Sequence, residues 1–249
     1  MSTEKALAIV VRQADFSESS RVITFFSKEF GKFSALAKGA KRLKGPFDAA
    51  LDLLSECRIV FIRKTSGALS LLTEARLQTR FRPGAHDLSS LYGGYYIAEL
   101  VNSLTEDFDP HPRLYDLAVA SLEQLSLGQV PSSSVIVQFE IGILQDIGVF
   151  PNLDECSVCG ESVVFTGRFA HWVSQGGLLC QACRREEYAA KSVAAETVQT
   201  LRRLADHSWD VAGPEVLTAG QAADCHRLTV SSITHVLGRR PATLRYLMF

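Results

Sequence analysis

Arg21-Val22-Ile23-Thr24-Phe25-Phe26, followed after a turn by Gly31-Lys32-Phe33-Ser34-Ala35-Leu36-Ala37-Lys38, decides the fold class of the N-terminal third. The first run is β-branched and aromatic, and the second alternates in part after a turn glycine, so the pair reads as two strands. Working outward, Ala6 to Val11 is an apolar strand before them, and Cys57 to Ile62 and Ala68 to Leu77 are strands after them. Gly45-Pro46 and Ser66-Gly67 punctuate the series. About five short strands over residues 6–80 predict a small barrel or sandwich.

The period changes near Pro83-Gly84. Leu88, Leu91, Tyr92 and Tyr95 recur at helical spacing, as do Leu114 to Leu125 and Val135 to Ile147. Pro112 and Pro131 mark helix openings, and Gly148 with Pro151 closes the third helix. Helical periodicity returns around Val193–Leu204 and Ala219–Leu237. The expected organisation is α+β: a β domain over 1–80, then a helical domain over 81–249 with a turn-rich, cysteine-bearing module at 153–185.

That module carries the sharpest chemical signal. Cys156-Ser157-Val158-Cys159 is followed, twenty residues later, by Cys180-Gln181-Ala182-Cys183. Zn²⁺ prefers four tetrahedral ligands, and thiolates at i and i+3 of a tight turn converge on one ion. Four thiolates close the coordination shell, which points to a structural ion rather than a catalytic one. Two disulfides or four free thiols are the alternative. Cys57 and Cys225 have no partner by spacing and read as buried small apolar residues.

The 249 residues carry a formal net charge of -1, which conceals an asymmetry. Residues 1–80 hold 14 Lys/Arg against 8 Asp/Glu, whereas residues 81–249 hold 12 against 19. No acid interrupts Gly31 to Phe47, and that segment carries Lys32, Lys38, Lys41, Arg42 and Lys44. With Arg12 and Arg21, these form a candidate nucleic-acid-binding surface, with phosphate neutralisation as its chemistry. Phe16, Phe25, Phe26, Phe30, Phe33 and Phe47 are interleaved, and strand alternation assigns most of them to the core. No phosphate loop, dinucleotide fingerprint, nucleophile elbow or H-E-x-x-H box is present. Asp107-Phe108-Asp109-Pro110-His111-Pro112 reads as a helix-to-helix turn with a capping Asp, and Glu186-Glu187 as the first turn of a helix. No signal peptide or membrane span is expected, and the cysteine usage fits a reducing cytosol.

Several segments together resemble the RecO family of DNA repair proteins. They are Ser17-Glu18-Ser19-Ser20-Arg21-Val22, Phe30-Gly31-Lys32-Phe33 through Arg42, Tyr95-Tyr96-Ile97-Ala98-Glu99-Leu100, and Asp109-Pro110-His111-Pro112-Arg113-Leu114-Tyr115. Phe139-Glu140 through Leu144, Leu153-Asp154-Glu155-Cys156 through Gly160, and Gly176-Gly177 through Cys183 complete the series in order. The segment Gly45 to Leu54 departs from the family pattern. The resemblance implies an N-terminal OB-fold, a helical C-terminal domain with a structural zinc site, and no catalysis. It implies binding to single- and double-stranded DNA and annealing of complementary strands. It also implies contact with the single-stranded DNA-binding protein and with RecR, help in loading RecA, and a bacterial cytoplasmic, nucleoid-associated location. No membrane or small-molecule substrate is expected. A sequence-specific zinc-ribbon factor is the competing expectation from the residues, and a zinc enzyme acting on nucleic acid is a third.

Overall fold

Alternation of small and large apolar residues builds the first element group of the computed structural model. The structure describes residues 2–42, 47, 50–64, 69–84, 87–163, 168–184, 192–209 and 213–249. Strands β1 (Ser2–Asp15), β2 (Arg21–Ser27), β3 (Gly31–Ala37), β4 (Glu56–Arg63) and β5 (Ser70–Thr79) close into a barrel of order β1-β2-β3-β5-β4. Antiparallel β1–β4 pairing runs from Ser2↔Arg63 to Ile9↔Glu56, and the parallel β3–β5 contact pairs Ala35 with Ser70. This five-stranded closed barrel is the OB-fold.

Every second residue points inward. Phe25, Phe33 and Phe61 fill the barrel opposite the small side chains of Ala8, Ala35 and Ala37, so bulk and space interlock. Phe33 stacks on Phe61 with ring centroids 4.4 Å apart. β1 runs longer than its apolar segment because a register shift between Val10 and Arg12 lets it bend from β4 to β2. Backbone bonds Val10 N→Ser55 O (3.0 Å) and Leu54 N→Val10 O (2.8 Å) satisfy the strand at the bend.

By compactness the chain divides into Met1–Gly128 and Gln129–Phe249. In the first unit, helices α1 (Leu88–Leu104) and α2 (Pro112–Leu127) pack on the barrel. Tyr115 donates to Glu56 Oε1 at 2.8 Å, and Lys28 pairs with Asp116 at 2.7 Å. The α1–α2 turn plugs one barrel end. Phe108, at φ 59°, lies 5.4 Å from the Phe33 ring, with the Arg63 guanidinium 4.3 Å over its face. Gly31 is required there, since a Cβ would lie 1.8 Å from Asp109 O. Asp87 caps α1 by accepting from Ser90 N at 2.9 Å, and hydrogen bonds from the Ser90 side chain and then its backbone hold the carboxyl below the usual range. The cap expected from an Asp in the 107–112 turn is absent: α2 starts at His111 with no side-chain cap, and Asp109 instead lies 3.4 Å from His111 Nε2.

The second unit contains α3 (Ser132–Asp146), α4 (Ala195–Asp206) and α5 (Ala219–Leu237) around a four-stranded sheet. That sheet, β6 (Asn152–Cys156), β7 (Arg168–Trp172), β8 (Gly177–Leu179) and β9 (Ser192–Ala194), has the order β6-β8-β7-β9. α3 is buried from Ser134 to Leu144, which makes it the centre of the unit. Glu140 is fully buried within it. Its carboxylate accepts from Thr229 Oγ1 at 2.6 Å and lies 2.8 Å from His226 Nδ1. α5 begins with a capping box between Thr218 and Gln221 and ends at Gly238 in the left-handed region. Among the described residues no helix is long and apolar enough to cross a membrane.

Candidate metal centre and nucleic-acid interface

The two CxxC turns converge. Sulfur atoms of Cys156, Cys159, Cys180 and Cys183 all lie within 4.8 Å of one another. Cys159 Sγ and Cys180 Sγ are 3.8 Å apart. A tetrahedron of thiolates around Zn²⁺ has edges of about 3.8 Å, given its metal–sulfur bond length. The backbone builds this geometry. Ser157 N donates to Leu178 O at 2.8 Å, which brings the first knuckle beside β8. Gly160, at φ +71°, turns the first knuckle, and its N–H donates to Cys156 O at 2.9 Å. Gly176, at φ +75°, reverses the chain toward the second knuckle.

Charge also favours a cation here. Burial opposes ionisation of Cys156, but backbone N–H groups of Cys180, Cys159 and Val158 aim at its sulfur and bring the thiol down to about 6. Hydrogen bonds with Cys159 and then Cys180 push Cys183 up to about 12. A divalent ion would hold all four sulfurs as thiolates, so its binding would release protons. The four residues fit a metal ion. By contrast, Cys57 and Cys225 are buried apart, each pushed up to about 12 chiefly by desolvation.

The basic residues divide by environment. Arg12, Lys38 and Arg42 are exposed and have no ion-pair partner among the described residues. Arg12 pairs with Thr24 across β1–β2, and Lys38 follows Ala37, whose partner is Arg21. Arg21 and Lys41 both bind Asp15, at 3.3 and 2.9 Å. The Lys41 hydrogen bond, helped by Arg21, holds the Asp15 carboxyl below its usual range. Lys41 N donates to Ser19 O at 3.1 Å, so the β1–β2 loop and the loop after β3 form one rim. Lys32 is placed elsewhere. Its side chain is 14% exposed, and its Nζ donates to Asn102 O (2.8 Å) and Thr105 O (2.6 Å) at the C-terminus of α1, with Asp107 at 3.7 Å. A lysine there answers the negative helix end and is not presented to a ligand. Lys44, the Gly45-Pro46 break and Glu186-Glu187 lie outside the described residues.

Comparison with known proteins agrees with this arrangement. Residues 1–81 match the family model described as recombination protein O N terminal, and residues 85–245 match recombination protein O C terminal. A DNA repair protein RecO of Anaeromyxobacter dehalogenans (strain 2CP-1) is 34% identical over 251 residues, covering 99% of this chain and 96% of the relative. One of Rhodopirellula baltica is 39% identical over 200 residues, 80% of this chain and 74% of the relative. One of Listeria monocytogenes serotype 4b (strain CLIP80459) is 30% identical over 200 residues, 80% and 76%. With both halves matched in order along a barrel and a cysteine-bearing helical unit, the chain belongs to the recombination protein O family of DNA repair proteins.

Proposed function

We propose that this chain is a non-catalytic recombination mediator that binds single- and double-stranded DNA and anneals complementary strands. With RecR it helps RecA load onto DNA coated by the single-stranded DNA-binding protein. It works in the bacterial cytoplasm, at the nucleoid. The observation that carries the DNA-binding part is the rim where Arg12, Lys38 and Arg42 stand exposed with no ion-pair partner among the described residues, together with Arg21 and Lys41, which pair with Asp15. Such cations displace counterions from phosphates without reading bases, so binding is salt-sensitive and indifferent to sequence. Annealing follows where one basic surface lowers the repulsion between two strands. Zn²⁺ held by Cys156, Cys159, Cys180 and Cys183 is structural in this reading, because four thiolates leave no position for water or substrate.

Fluorescence anisotropy with labelled single strands and duplexes, titrated over a range of salt, tests the reading. Affinity falling with salt and equal across sequences is the expected result. Strong preference for one sequence would instead favour a zinc-ribbon regulatory factor, and absence of binding by the folded protein would end the proposal.

A further inference from the structure

Among the described phenylalanines of the barrel Phe30 is half-buried, and Phe16 is the exposed one. Phe25, Phe26, Phe33 and Phe61 have no exposed surface and Phe47 has 5%, whereas Phe16 on the β1–β2 loop is 60% exposed. A single exposed apolar residue is ordinary on a protein surface, so exposure by itself assigns nothing. Two further features do.

The first is that the ring is carried by a fixed loop. Phe16 N and Ser17 N both donate to Ser20 O, at 3.1 and 3.2 Å, and Ser20 N donates back to Ser17 Oγ at 3.2 Å. The loop is then tied sideways by Lys41 N→Ser19 O and by the Lys41–Asp15 ion pair. A preorganised aromatic loses little conformational freedom on contact with a ligand.

The second is the charge around it. Asp15, next to Phe16 in the chain, is matched by Lys41 and Arg21. Glu18 is the exposed acid of the loop, against the exposed Arg12, Lys38 and Arg42. An exposed ring on a hydrogen-bonded loop, on a barrel rim that also carries exposed cations, supplies both elements of single-strand binding: phosphates are neutralised and a base stacks on the aromatic face. In a duplex, base pairing and stacking leave no free face for the ring inside the helix.

We propose that Phe16 is a base-stacking platform for an unpaired nucleotide, so that the β1–β2 loop distinguishes single strands from duplex while the surrounding cations hold either. This rests on the DNA-binding reading above. The test uses the full chain with a labelled oligo-dT and a labelled duplex of equal length. Phe16→Ala weakens oligo-dT binding about 5- to 150-fold, the range for loss of one stacked base, and leaves duplex affinity unchanged. Phe16→Trp retains oligo-dT affinity, and its fluorescence in excess of the wild-type signal is quenched on binding. Unchanged oligo-dT affinity in Phe16→Ala, or equal losses on both ligands, would overturn the proposal. Wild-type protein that binds neither ligand would overturn the DNA-binding reading itself, and the stacking proposal with it.

Discussion

Among the described residues, sixteen buried apolar side chains from Ala6 to Ala75 form one cluster inside the barrel, whereas the cluster at the cysteine knuckles has three, Cys156, Ala170 and Leu179. The barrel has hydrogen-bonded strands and a continuous hydrophobic interior, enough to order it. The strands beside the knuckles are three to five residues long and send Leu153, Phe169 and Leu178 into the helical core, so few apolar residues are left at the cysteines themselves. With so small a cluster at the cysteines, a metal held by the four thiols would be a further source of order there. The contrast also separates structure from function. The cysteines face one another in a cluster, while Arg12, Lys38 and Arg42 of the barrel rim are exposed.

Loss of the metal should separate the two regions most sharply. Stripping zinc with a chelator, or Cys180→Ser, should unfold the knuckles, since a structural zinc contributes about 10–16 kcal/mol to folding of its site. Both tryptophans, Trp172 and Trp209, lie in the second unit. Their emission should therefore shift, while far-UV circular dichroism retains the barrel signal. An unchanged emission and melt would show that the knuckles are ordered without metal.

The converse substitution is Phe33→Ala, which removes a ring that contacts Phe25, Phe61 and Phe108. It should cost about 3–5 kcal/mol, read as a lower denaturation midpoint by circular dichroism with zinc content intact. Next in size, His226→Ala removes the imidazole that lies 2.8 Å from the buried Glu140 carboxylate. A loss of about 1–3 kcal/mol is expected, the range for a buried polar group that loses a partner, visible in tryptophan emission on denaturant titration.

A pH series sharpens the same comparison. Cys57 and Cys225 are pushed up to about 12 in the folded chain from an ordinary value near 9. In that window the unfolded chain loses these protons and the folded chain keeps them, so stability is full below the ordinary value and falls as pH rises toward the folded one. Cys57→Ala should flatten the alkaline fall of the barrel melt. The smallest effect on stability belongs to Lys38→Glu with Arg42→Glu, which should leave the melt unchanged. DNA affinity should drop, and the slope of log affinity against log salt should lessen by about 2 for two lost phosphate contacts. Lys41 is a poorer choice for this test, because Glu at that position would face Asp15 and disturb the loop itself.

The strands and the four cysteines were legible because each is written locally, by alternation in one case and by spacing in the other. α5 was legible from its helical periodicity around Ala219–Leu237, the span it occupies in the structure. Three features were not. Arg12-Gln13-Ala14-Asp15 is polar and reads as a loop, yet it continues β1 because β2 supplies hydrogen-bond partners from Thr24 to Arg21. The attachment of α1 and α2 to the barrel depends on Phe108 at positive φ and on the contact of Gly31 with Asp109, which are separated by some eighty positions. Lys32 sits within an unbroken basic segment, and only the fold reveals that its charge is directed at helix carbonyls. Among the interleaved phenylalanines, no local signal marks Phe16 as the displayed one, since exposure follows from its position on a turn.

The central claim is tested most directly by annealing two complementary oligonucleotides pre-coated with the cognate single-stranded DNA-binding protein, with and without this protein, over a range of salt and with no nucleotide added. The account predicts acceleration that is indifferent to sequence and suppressed by salt. No acceleration by protein with intact fold and metal content, or acceleration confined to one sequence, would contradict it.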